Sequence, residues 1–412
     1  MPDLRTEAAA HDDLLHRRLD NLVPMLMRRA GIDCWIVTGR EYAEDPVLKT
    51  MLPASWMSGR RRTTLVWFDD GTRHERMAVA RYAVADLFPA AWDPESQPDQ
   101  WGRLAEVVAE RDPKAIAINS SRTFALADGI TASENAALVA ALGGLADRIV
   151  GGEALAIGWL ETRLPEERAT FAEACAVAHG ILRRGLSSEA ITPGRTTTEG
   201  LVWWYRQTVH DAGLASWFQP SVSVQRNSGE ARTSFVSRPA EQTIHPGDLV
   251  HVDFGIVWKG LCTDQQEHLY VLPPGESDPP DGLVAGMRAG NRMQDLLMAA
   301  FATGRTGNQI LATSLDAGKA NGIEALVYTH ALGLHGHAAG PTIGLWDQQG
   351  GVPGPGDYPL YPNTGHSIEL SVEVPVPEWD GQSVRIMLEQ DAWFDGDTCE
   401  FLDGRQEELW VM

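Results

Sequence analysis

The sequence predicts two domains in tandem, an α/β domain over residues 1–160 and an α+β domain with an internal duplication over residues 161–412. Three observations carry that division. Short apolar, strand-like runs alternate with helical stretches through the first part of the chain. From residue 160 the character changes to a longer helix with one apolar face. Finally, the segment G-R-T-T-T-E-G-L at 194–201 recurs as G-R-T-G-N-Q-I-L at 304–311. A length of 412 residues suits two or three domains of about 150 residues each.

The first domain opens with LLHRRLDNLVPMLMRRAG (14–31), which reads as an amphipathic helix, followed by a buried strand, CWIVTG (34–39). TTLVWF (63–68) and AIAIN (115–119) are further strands, with helices over 99–111 and 131–145. The Gly-rich stretch GGLADRIVGG (143–152) lacks the G-x-G-x-x-G order that follows a strand, so it reads as a linker at the domain boundary and not as a phosphate cradle. In the second domain, LPEERATFAEACAVAHGIL (164–182) aligns Phe171, Ala174, Cys175, Ala178, Ile181 and Leu182 on one helical face. Thr196 with Glu199, and Thr306 with Gln309, form capping boxes at equivalent places in the repeat. Gly213 and Gly322 then stop the two helices. The duplicated unit is helix, helix, hairpin.

Composition excludes several function classes. With 34 Lys+Arg against 56 Asp+Glu, the formal charge is −22, which disfavours nucleic acid and anionic membrane surfaces. No apolar run approaches the roughly 20 residues of a membrane span, and the charged first twenty residues lack the apolar core of a secretory signal. Cys34, Cys175, Cys262 and Cys399 are far apart, as expected of reduced thiols in a cytoplasmic protein.

The chemistry concentrates in four segments. In GDLVHVDFGIVWKGLCTDQQEHLYVL (247–272), alternation marks a strand, Lys259-Gly260 a tight turn, and the remainder a second strand. That turn sets Asp253 opposite Gln266 and His251 opposite His268, with Asp264 diagonal to Asp253 on one face. Two carboxylates so placed on an apolar hairpin repel unless a cation lies between them. THALGLHGHAAGP (329–341) brings His330, His335 and His337 into a Gly-rich loop. NTGHSIELSVEVPV (363–376) is a strand with Glu369 and Glu373 on one face. VRIMLEQDAWF (384–394) is another, aligning Arg385, Met387, Glu389 and Asp391. An oxygen-rich set with one imidazole suits a pair of Mn, Fe, Co or Zn ions.

The order and spacing of Asp253 in HVDFG, Asp264, His330, His337 and the strand glutamates resemble the pita-bread dinuclear metallopeptidases, the family of methionine aminopeptidase, aminopeptidase P, prolidase and creatinase. The resemblance covers residues from about 160 to 412. It implies a creatinase-like α/β N-terminal domain joined to an α+β pita-bread catalytic domain with pseudo-two-fold duplication. It also implies a hydrolase of the Xaa-Pro aminopeptidase or prolidase type, working with two divalent ions on a peptide or small amide, as a homodimer. Its ligand set carries over to Asp253, Asp264, His330, Glu369 and Glu389, with Asp264 and Glu389 bridging. Glu369 becomes the general base, with Glu373 as the rival for its place as ligand, and His337 the oxyanion contact. Arg385 and His335 become supporting or substrate-binding residues.

Two departures bear on specificity. NSGEARTSFV (227–236) holds no histidine where the family has one before the metal hairpin; Ser234 stands near that place, with His245 and His251 the nearest alternatives. The family's S-D-x-x-R-T reads T-D-Q-Q-E-H here, so its arginine is gone. A peptide-binding protein without turnover and a creatinase-like, metal-free C–N hydrolase are the alternative readings.

Overall fold

The computed structural model describes residues 3–227 and 241–412. They divide into two compact units, Met1–Thr162 and Arg163–Met412.

The first unit runs α1 (Leu4–Ala30), β1 (Cys34–Arg40), α2 (Pro46–Lys49), β2 (Arg62–Asp69), β3 (His74–Val79), α3 (Gln100–Ala109), β4 (Ile116–Ile118), α4 (Ala132–Leu142), β5 (Ile149–Gly151) and α5 (Glu153–Glu161). Its sheet has the order β3-β2-β1-β4-β5. β1 lies parallel to β4 and β4 to β5, while β2 and β3 are antiparallel. Helix α1 begins ten residues before its apolar pattern does, because the Asp3 carboxylate accepts from the Arg5 and Thr6 amides and starts the helix there. The Gly-rich segment 143–152 is not a linker. Ile149–Gly151 pairs with Ile116–Ile118 as the fifth strand, since its backbone groups complete an open sheet edge.

The second unit contains α6 (Glu167–Gly185), α7 (Thr198–Asp211), β6 (Ser221–Gln225), β7 (Leu249–Phe254), β8 (Val257–Trp258), β9 (Leu261–Cys262), β10 (Gln265–Tyr270), α8 (Asp281–Ala299), α9 (Gly307–Ala320), β11 (Ala325–Val327), β12 (His330–Leu332), β13 (Thr364–Val376), β14 (Gln382–Phe394), β15 (Cys399–Phe401) and β16 (Trp410–Val411). A helix pair followed by strands therefore occurs twice. Among the described residues the large sheet has the order β11-β13-β14-β10-β7-β6, with β12, β15 and β16 added at its margins. The repeated helices differ by one residue at their starts. Thr306 and Gln309 form the expected capping box of α9. At α7, however, the cap is Thr197, which accepts from the Gly200 amide, while the Thr196 hydroxyl donates to the Ala190 carbonyl. Three consecutive threonines offer the same hydroxyl, and the turn before the helix selects the second.

Each helix pair covers an apolar sheet face. Tyr205, Leu201 and Leu182 pack on Val250, Val252, Phe254 and Leu269. Leu283, Met287 and Leu297 pack on Ile368, Leu370, Ile386 and Leu388. Helix α8 carries glycines every fourth residue against the sheet. A Cβ on Gly286 would lie 2.7 Å from Val374 Cγ2, and one on Gly290 2.7 Å from Leu388 Cδ1. This close approach holds β13 and β14 firmly in place. No described helix is long and apolar enough to cross a membrane. All four cysteines are free thiols.

Candidate metal centre

The hairpin turn between β8 and β9 fixes the site's register. Lys259 (φ 49°) and Gly260 (φ 81°) both adopt the left-handed conformation that a two-residue hairpin turn requires. Asp253 then stands opposite Gln266, and His251 opposite His268, as the turn dictates. The long strands extend the row: Gln266 pairs with Glu389, and Glu389 with Glu369. One line across the sheet thus reads Asp253, Gln266, Glu389, Glu369.

Asp264 precedes β10, its amide donating to Asp391 Oδ1 at 3.1 Å. Asp391 is itself buried and also accepts from Cys175 Sγ at 3.3 Å. His330 opens β12 opposite Ser367. Its Nε2 lies 3.6 Å from Asp264 Oδ2 and 3.7 Å from Glu389 Oε1. Thr329 braces Glu369 from the backbone, its hydroxyl donating to the Glu369 carbonyl and accepting from the Glu369 amide, both at 2.9 Å. His337 is exposed beside this group, its ring 4.7 Å from that of His330 and 5.2 Å from Trp217. Gly336 is required there, because a Cβ would lie 2.3 Å from the Trp217 ring.

Three overlapping triads result, each with donor atoms within 4.8 Å of one another: Asp253–Asp264–Glu389, His330–Glu369–Glu389, and Asp264–His330–His337. Asp253 Oδ1, Asp264 Oδ1 and His330 Nε2 are buried without a hydrogen-bond partner, as metal-ligating atoms would be in the absence of an ion. The residues present therefore fit divalent metal, with four carboxylates and two imidazoles as donors.

The electrostatics agree. Burial, reinforced by the charge of Glu389, pushes the carboxyls of Asp253, Asp264 and Glu369 well above the usual range. Burial acts to lower His330, but its pairing with Glu389 and the charge of Glu369 outweigh this and lift it to about 9. His337 is lowered by desolvation and by the neighbouring His330.

The other expected residues fall elsewhere. Glu373 is exposed and accepts from Arg385 at 3.2 Å, so both lie four residues along their strands from Glu369 and Glu389. His335 is half-buried in the same loop but belongs to none of the three triads. His245 is exposed, and His251 is buried behind the row, 2.8 Å from Gln266. Ser234 lies outside the described residues.

Residues 169–391 match the model of metallopeptidase family M24. The chain belongs to that family. It therefore carries the pita-bread fold of metal-dependent hydrolases. It is similar to the X-Pro aminopeptidase of Thermotoga maritima MSB8 at 16% identity and TM-score 0.64, over 94% of this chain and 100% of that one. It is also similar to dipeptidase PepE of Mycobacterium ulcerans, at 18% identity and TM-score 0.65 over 97% and 98%. The N-terminal domain of the FACT complex subunit SPT16 from Eremothecium gossypii matches with TM-score 0.63 at 12% identity, over 97% of this chain and 99% of that one. At these identities the likeness is one of fold. A search of curated protein sequences returned no significant match.

Proposed function

We propose that this member of the M24 family is a two-metal Xaa-Pro aminopeptidase or dipeptidase, cleaving an amide bond near a peptide N-terminus. The observation that carries the proposal is the set of three overlapping triads, in which Asp253, Asp264, His330, Glu369 and Glu389 are joined by His337. Asp253, Asp264, His330, Glu369 and Glu389 would hold two ions of Mn, Co, Zn or Fe. When bound, the ions supply Lewis acidity and a water of lowered pKa.

Each remaining task falls to a side chain of this protein. Glu369 takes the proton of the attacking water and returns it to the departing nitrogen. Its backbone, braced by Thr329, keeps the carboxylate at a fixed height above the sheet. His337, its pKa lowered, stays neutral at neutral pH and donates its N–H to the carbonyl oxygen as charge develops there. Trp217 stacks edge-on against His337 and limits its rotation.

The test is hydrolysis of a series of Xaa-Pro dipeptides and tripeptides, compared with Xaa-Ala controls, by chelated protein before and after Mn, Co or Zn is restored. The proposal expects cleavage only with metal, and faster cleavage of Xaa-Pro bonds. Binding of the peptides without hydrolysis in any metal would identify a peptide-binding protein instead.

A further inference from the structure

One polar side chain in the row across the sheet is not a ligand in the proposed function: Gln266, between Asp253 and Glu389. It is buried, and all of its hydrogen-bonding groups on the side facing the site are used. Its Nε2 lies 2.7 Å from Glu369 Oε1 and 2.7 Å from Glu389 Oε2. In the metal-binding form both carboxylates are ionised and only accept, so there the amide nitrogen must face them and its oxygen must point away. That oxygen lies 2.8 Å from His251 Nε2, which therefore carries the hydrogen. His251 Nδ1 is in turn 3.5 Å from the Ser223 hydroxyl. The amide thus has one orientation, set from both ends.

We infer that Gln266 is the positioning residue of the metal centre, an amide clamp whose two N–H bonds hold Glu369 and Glu389 in the geometry that receives metal. The inference rests on the metal-binding reading above. The physical reason is the juxtaposition of two carboxylates on neighbouring strands, which without a cation would rotate apart. A neutral amide that donates to both offsets part of their repulsion without adding a charge. Each carboxylate oxygen has two lone pairs, so one remains for an ion after the amide takes the other. The second oxygen of Glu389 accepts from the Ser367 hydroxyl, so this carboxylate is fixed at both ends. Side-chain freedom that would otherwise be lost on metal binding is already lost in the folded chain.

The test uses the full chain and Mn²⁺ as the probe, with free Mn²⁺ read by electron paramagnetic resonance. Gln266→Met keeps the side-chain length and removes both donors. His251→Phe leaves the amide present but frees its orientation. Supporting residues around metal sites commonly change affinity by about 10–100-fold when altered. We expect Q266M to weaken Mn²⁺ binding by about tenfold or more and to change the resonance of bound Mn²⁺. We expect H251F to produce a smaller loss of the same kind, and the double variant to bind no worse than Q266M alone. Should Q266M prove unfolded in a metal-free thermal melt, H251F alone decides, because it keeps Gln266 and every carboxylate and removes only the bond that orients the amide. Affinity and spectrum unchanged within twofold in the folded variants would make Gln266 a packing residue and overturn the inference. Wild-type protein that holds no Mn²⁺ would overturn the metal reading itself, a result distinct from the first.

Discussion

Glu369 and Glu389 stand directly opposite each other on β13 and β14, a half-buried and a buried carboxylate joined by the same Gln266 amide nitrogen at 2.7 Å from each. Repulsive in isolation, this pair makes sense as part of a cation-binding centre, and its consequences can be measured.

Metal binding should release protons. Burial raises Asp253, Asp264 and Glu369 well above the usual carboxylate range, so they hold protons more tightly than free carboxyls, and His330, lifted to about 9, is protonated at neutral pH. Ligands must lose them to bind metal. Calorimetric titration with Mn²⁺ at pH 7 in two buffers of different ionisation enthalpy should give different apparent heats. Identical heats would show that no proton leaves.

Glu369→Gln separates chemistry from folding. As the general base its loss should lower kcat by about 10²–10⁴-fold. Removing one of four crowded carboxylates should leave the metal-free melting temperature unchanged or higher. A variant that loses stability and activity in parallel would point to a structural role instead.

Glu267 faces away from the site on β10, where its Oε1 accepts from Gln390 Nε2 at 2.9 Å, and burial pushes it from 4.5 up to about 8. Between those values the folded state keeps a proton that the unfolded chain has lost. Stability from this group therefore falls as pH rises across that window and levels off above it. Glu267→Gln should melt several degrees above wild type at pH 8.5, with the advantage shrinking toward pH 5. An advantage independent of pH would contradict the assignment.

The glycines of α8 should be intolerant of side chains. Gly290→Val places a branched group where even a Cβ meets Leu388 Cδ1 at 2.7 Å. Overpacking of this kind costs about 1–3 kcal/mol, and chemical denaturation should report a loss of that size. Because Leu388 adjoins Glu389, Mn²⁺ affinity should fall as well.

Much of this was legible in the sequence because it is local. The Lys259-Gly260 turn fixes the register of β7 and β10, and strand parity puts Glu369 and Glu389 on matching faces of their strands. What was hidden is not local. The turn already sets Gln266 opposite Asp253, yet its bonds to Glu369 and Glu389 span 103 and 123 residues, which no short pattern reports. The Gly143–Gly152 segment reads as a linker because glycine favours turns, and only the open edge of β4 makes part of it a strand. A glycine at every fourth residue from Gly282 to Gly290 was a visible signal of close helix–sheet contact.

The central claim is that Asp253, Asp264, His330, Glu369 and Glu389 form one two-metal centre. It is tested most directly by metal content and melting temperature of reconstituted wild-type protein beside Glu389→Gln, a residue that, like Asp264 and His330, belongs to two of the triads. The account predicts about two divalent ions per wild-type chain, with a clear rise in melting temperature over the chelated form, both lost in the variant. Equal metal content in the two proteins, or a melting temperature indifferent to metal, would contradict it.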